Sequence, residues 1–155
     1  MEVTLRSVTR ENYEAVCDLY IPEEQQRFLS CNVYSLVESH YHPDSHRPRA
    51  IYYGEVLVGF VMWGIFTSDS EETEALIFRF MVAHEYQRKG IGRQALLATI
   101  NEIKSLGSTD SVIICYSPEN TISTKLYNSV GFVEKGMSAE GEDMLAELSL
   151  MSDSG

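Results

Sequence analysis

Two periods of apolar and polar residues run along the chain. Val3 to Val8 alternate loosely and predict a first strand. Thr9 stands where it can N-cap a helix whose stripe is Tyr13, Val16, Cys17 and Tyr20. Pro22 ends that helix, because proline lacks the N–H the next turn needs. Glu23 to Ser39 reads as one or two further helical pieces, apolar at Phe28, Leu29, Val33, Leu36 and Val37. From His40 to Pro48, three His and two Pro interrupt both periods and predict a loop.

A hairpin is expected next, with strands Ala50 to Tyr53 and Val56 to Phe66 around a Gly54-Glu55 turn. An acidic loop, Ser68 to Glu74, leads into an apolar strand, Ala75 to Val82. Gly90 to Leu106 is helical, with Leu96, Ile100, Ile103 and Leu106 on one face and Gly107 just past its end. Ser111 to Tyr116 is apolar on both faces and so predicts a central strand. Asn120 to Val130 is a second helix closed by Gly131, and Phe132 to Met137 with Met144 to Leu150 make a final hairpin. The order β α α β β β α β α β β predicts a mixed α/β fold.

The 155 residues are 44% hydrophobic and 23% charged, ordinary for a globular domain. One domain over residues 1–150 is expected, with 151–155 as a tail. A net charge of −11 argues against nucleic acid and anionic membranes as partners and makes a cationic partner easier. Solubility alone also accounts for it. The three cysteines show no CxxC spacing, which speaks against a zinc site or disulfide framework. With no apolar leader and no run long enough to span a bilayer, the cytoplasm is the expected location.

The segment Phe78 to Leu97 carries the most chemistry. An apolar strand runs into Gln87-Arg88-Lys89-Gly90-Ile91-Gly92, and a helix begins within it. Gly90 and Gly92 let the chain turn sharply and approach a ligand closely. The N–H groups of a helix start are unpaired and point outward, so they can cradle an anion. Arg88, Lys89 and Arg93 concentrate cations there in an acidic chain, which favours a phosphate-bearing ligand over a plain turn. A P-loop is excluded, since no Gly-Lys-Ser/Thr follows, and a dinucleotide fingerprint fits poorly.

These residues resemble the acetyl-CoA signature of the GNAT N-acetyltransferase superfamily, Gln/Arg-x-x-Gly-x-Gly/Ala. A second block, Asn120 through Tyr127 to Gly131-Phe132, is similar to that family's later block. The hairpin and signature look most like bacterial spermine/spermidine acetyltransferases. The resemblance implies a mostly antiparallel sheet flanked by helices, with splayed central strands. It implies acetyl-CoA as co-substrate without metal, and direct transfer without an acyl-enzyme. By position, backbone amides from Arg88 to Arg93 would hold the pyrophosphate, in the loop opened by Gln87. Met81 and Val82 would pair with the pantetheine arm, and Asn120 would contact it. Tyr127 would protonate the departing thiolate. Asn120 and Tyr127 are seven residues apart and share a helical face, and a phenol can donate to a thiolate. Tyr127 as an ordinary core tyrosine is the competing reading.

The reaction needs a neutral amine, so a group must take its proton. Glu72 and Glu74 precede the central strand, and Glu74 is the candidate base, against a solvated acidic loop. Glu23 and Glu24 are candidates to bind a polyamine, against simple helix-dipole stabilisation. His40, His42 and His46 match no metal pattern, Cys115 reads as a small buried hydrophobe, and Trp63 as core or acceptor pocket. An aminoglycoside, amino-acid derivative or protein N-terminus are alternative acceptors. A non-catalytic acyl-CoA-binding module and a nucleotide-binding domain are the alternatives to an enzyme. The sequence leaves the general base and oligomeric state open, a homodimer being admissible.

Overall fold

The computed structural model describes residues 1–26, 31–67 and 73–150. Among these, β1 (Val3–Ser7), β2 (His46–Tyr53), β3 (Val56–Thr67), β4 (Thr73–Val82), β5 (Ser111–Tyr116), β6 (Val133–Met137) and β7 (Met144–Ser149) form one sheet. Its order is β1-β2-β3-β4-β5-β7-β6, and every neighbouring pair is antiparallel except β4–β5. The helices are α1 (Tyr13–Cys17), α2 (Glu23–Gln26), α3 (Asn32–Tyr41), α4 (Ile91–Ser105) and α5 (Thr121–Val130). This is the expected mixed, mostly antiparallel sheet flanked by helices. Phe28, Leu29, Glu72 and the tail 151–155 lie outside the described residues. No helix among the described residues is long and apolar enough to cross a membrane.

Apolar patterning explains the layers. β3 is buried from Val58 to Gly64, on both faces, as its near-continuous apolar run requires. On one face α4 buries Ala95, Leu96, Ile100 and Ile103 against Val61, Trp63, Ile77 and Ile114. Trp63 is a core residue, not a pocket wall, and its indole N–H donates to Glu102 of α4 at 2.6 Å. On the other face Val16 of α1 packs with Phe60, Met62 and Met81, and Leu36 of α3 adds to this cluster.

Several sequence expectations change. The segment from His40 to Pro48 is only partly a loop, because α3 continues to Tyr41 and β2 starts at His46. Pro48 is tolerated because β1 pairs with β2 only as far as Arg49, which leaves Pro48 an edge. Asn12, not Thr9, is the N-cap position of α1; its Oδ1 accepts from the Thr9 N–H at 2.7 Å. Tyr13, Tyr20 and Leu106 are exposed, so their helical periodicity does not translate into burial.

The feature that makes a site is the parting of β4 from β5. β4 pairs with β3 from Thr73 to Val82, but with β5 only at Ala75, Leu76 and Ile77. The β3–β4 register slips at Met62/Trp63, so Phe78 faces no partner. Such an extra residue bends and twists a strand. The bend follows directly on the last β4–β5 pair, Ile77 with Ile114. From Phe78 to Val82 the β5-facing edge of β4 is therefore open.

Candidate active site

A cleft of about 570 Å³ occupies the gap between β4 and β5. Its floor is Phe78 to Val82 of β4 on one side and Ile114 to Ser117 on the other. The turn into α4, residues of α5 and Asp143 complete its lining.

The α4 end is built for an anion. Gly90 is the N-cap, with φ +79°, a left-handed conformation glycine adopts without strain. Arg88 also has a positive φ, 63°, unusual for a residue with a Cβ. The first helix-type acceptance is Gln94 N–H to the Gly90 carbonyl at 3.2 Å, so the N–H groups of Ile91, Gly92 and Arg93 precede the ladder. Gln87 ties the turn down: its Nε2 donates to the Val82 carbonyl at 2.9 Å and to Gln25 Oε1 of α2 at 3.0 Å. Arg93 donates to the Ser129 carbonyl at 3.2 Å and to its Oγ at 3.1 Å, which straps α4 to α5.

Tyr127 stands on α5 in an aromatic box. Its ring centroid is 5.0 Å from Tyr116, 6.2 Å from Phe132 and 6.4 Å from Phe80. It is 4% exposed and lines the cleft, so core packing and a place at the site are not alternatives here. Burial pushes its phenol up to about 12, against a smaller lowering by a hydrogen bond with Ser123. The phenol therefore keeps its proton at every ordinary pH. Asn120 caps α5, its Oδ1 accepting from Ser123 N–H at 3.2 Å, and it too lines the cleft.

Of the residues singled out in sequence, Met81, Val82, Gln87, Arg88, Gly90, Gly92, Arg93, Asn120 and Tyr127 come together around the cleft. Lys89 and Ile91 do not line it: Lys89 is exposed, and Ile91 turns into the core at 3% exposure. Glu74, the base candidate, does not line the cleft. It lies within β4 opposite Phe66, exposed, at the far end of the strand from Met81. Glu23 and Glu24 are exposed on α2, while their neighbours Ile21 and Gln25 line the cleft.

Sequence reasoning missed three polar residues of the cleft. Cys115 is no buried hydrophobe. Its thiol lines the cleft and donates to Asp143 Oδ2 at 3.7 Å. Burial, with Asp143 adding to it, pushes that thiol up to about 11, so it stays a thiol and is a poor nucleophile. Arg79 brings a guanidinium whose Nε is buried without a hydrogen-bond partner. The bulge at Phe78, which no local signal marks, decides where Arg79 points. Asp143 belongs to a hairpin connection that only folding brings to β5.

The family model for the "Acetyltransferase (GNAT) family" matches residues 13–132. The chain is 27% identical over 154 residues to the spermine/spermidine N(1)-acetyltransferase of Bacillus subtilis, covering 95% of this chain and 99% of that protein. Spermidine N-acetyltransferase from Vibrio cholerae, solved with CoA and spermine, superposes with a TM-score of 0.76 at 18% identity, over 96% of each chain. The acetyltransferase AAC(6')-Ib, solved with acetyl-CoA, superposes with a TM-score of 0.80 at 16% identity, over 96% of this chain and 94% of that one. The two sequence blocks, the parted strands and the match over most of its length lead to one conclusion: this chain belongs to the GNAT family of acetyltransferases.

Proposed function

We propose that the protein moves the acetyl group of acetyl-CoA directly to a primary amine of a cationic polyamine, with spermidine and spermine as first candidates. The observation that carries this reading is the open edge of β4. It runs from an amide-rich helix start to a buried phenol, the path a CoA thioester needs. The pyrophosphate would take the N–H groups from Arg88 to Arg93 and the dipole of α4. The pantetheine amides would pair with Met81 and Val82 as an added strand, near Asn120. The thioester would then reach Tyr127, which donates to the sulfur as the C–S bond breaks. Holding both reactants in the gap supplies much of the rate. Cys115, held as a thiol, supports transfer without an acyl-enzyme. The polyamine rests on the Bacillus relative and on the net charge of −11.

A panel of amines assayed for CoA release tests the reading, with acetyl-CoA binding followed by melting temperature. At a hundredfold excess over Kd, acetyl-CoA should add about 2.7 kcal/mol of stability, or about 5–10 °C for a chain of this size. Spermidine should be acetylated faster than neutral amines. A shift with ATP but none with acetyl-CoA or CoA would exclude acetyl transfer. Preference for an anionic or uncharged amine would exclude the polyamine.

A further inference from the structure

Among the described residues that line the cleft, Asp143 is the one carboxylate. Its backbone is fixed at the neck of the β6–β7 connection: its carbonyl accepts from Ser138 N–H at 2.6 Å, and its N–H donates to Ser138 Oγ at 3.3 Å. The side chain is left for the cleft. It accepts from the Cys115 thiol and makes no ion pair among the described residues.

Strand alternation places Asp143 relative to Tyr127. Neighbouring residues of β5 point to opposite faces of the sheet. Tyr116 packs on Tyr127 on the α5 face, whereas Cys115 meets Asp143 on the other. The phenol and the carboxylate thus flank the same gap in the sheet from opposite faces. A thioester lying in the gap would present its sulfur to one and its carbonyl carbon to an amine held by the other.

We infer that Asp143 is a catalytic residue, which binds the acceptor amine and takes its proton; this rests on the acetyl-transfer reading above. The amine nitrogen attacks the thioester carbonyl carbon and the C–S bond breaks. The sulfur takes the Tyr127 proton, and Asp143 takes the proton that nitrogen releases as the C–N bond forms. Return of that proton to the phenolate through solvent leaves amide and CoA thiol, with no net proton gained or lost from the neutral amine. A carboxylate is a weak base towards a free ammonium, but attack makes the nitrogen strongly acidic, so proximity suffices. Around Asp143 stand Cys115 of β5, which donates to its carboxylate, and the Ser138 hydroxyl, which accepts from its N–H; the Arg79 guanidinium of β4 lines the same cleft and acts on the same thiol. A cation there favours the neutral form of an incoming amine.

Asp143→Asn and Asp143→Ala are assayed with spermidine and acetyl-CoA. The expected result is a kcat/KM for spermidine lower by about 10²–10⁴-fold, with the melting shift by acetyl-CoA retained. Raising the pH should recover part of the loss, because more amine arrives neutral. Formate, a free carboxylate, should restore part of the Asp143→Ala activity and none of the Asp143→Asn activity. Wild-type kcat/KM in Asp143→Asn overturns the assignment while acetyl transfer stands. Should the Asn and Ala variants lose acetyl-CoA binding as well, Asp143→Glu decides: turnover kept supports the carboxylate, and turnover lost with binding intact overturns it. No CoA release by the unsubstituted protein with any amine overturns acetyl transfer and this role together.

Discussion

Tyr127 holds its proton at about 12, and Cys115, a thiol in the same cleft, holds its own at about 11. An unperturbed thiol near 8.5 would be a much poorer match for such a phenol. Burial raises both groups, so a CoA thiolate leaving into this cleft would be raised in the same direction. Tyr127→Phe keeps the ring in its box and removes the proton. It should lower kcat by about 10²–10⁴-fold while acetyl-CoA affinity stays unchanged; an unaltered kcat would assign the acid elsewhere. The same shift has a stability signature. The folded pKa lies above the unfolded value near 10, so the contribution is complete below pH 10 and lost as pH rises towards 12. By pH 11 the wild type should have lost about 1.4 kcal/mol more than Tyr127→Phe. Urea titrations at pH 9, 10 and 11 measure this, and parallel losses in the two proteins would contradict it.

At the scale of elements, β4 does most to shape the site. It must stay paired with β3 while leaving β5, and the pairing survives because β3 places Gly59 opposite Val82. A methyl group at Gly59 would overlap the Met81 carbonyl oxygen, which is backbone and cannot swing away. Gly59→Ala should therefore destabilise by about 1–3 kcal/mol, the usual effect of overpacking. That corresponds to a fall in melting temperature of several degrees. Gly92 offers a contrast in α4. A methyl there would meet Leu126 at 3.6 Å, an ordinary contact, so Gly92→Ala should melt at or above the wild-type temperature. Equal melting temperatures for the two variants would show that β3 and β4 approach less closely than described.

At the scale of the whole molecule, the acidity is distributed away from the cleft. The chain carries −11, yet the cleft is lined by Arg79, Arg88 and Arg93 against Asp143 alone. An acidic surface with a mostly cationic cleft would concentrate polyamines near the mouth through a long-range field. That field is screened within about 8 Å at physiological salt but reaches about 30 Å at 0.01 M. The kcat/KM for spermidine should fall as salt rises, more steeply than for a monoamine. Glu23→Gln with Glu24→Gln, on exposed α2 beside the cleft, should raise the KM for polyamine and leave that for acetyl-CoA alone. Polyamine turnover indifferent to salt would mean that the surface charge serves solubility.

The local pattern determined much of this protein. Alternation and helical period depend on neighbours a few residues apart, and so they located most strands, α4 and α5. The turn into α4 was legible for the same reason: Gln87 to Gly92 is one continuous segment whose strand-to-helix geometry needs no distant partner. What the tertiary structure decided is everything that depends on two segments meeting. Glu74 and Asp143 are both acidic residues at the start of apolar strand patterns, and nothing local distinguishes them. Glu74 stays exposed within β4 and outside the cleft lining, and the β6–β7 hairpin folds Asp143 against Cys115. Cys115 reads as a hydrophobe in a β-branched run and becomes a cleft thiol because β4 turns away from β5 at Phe78. The bulge that causes this is a mismatch in register between strands, a property of the pair that neither strand carries by itself.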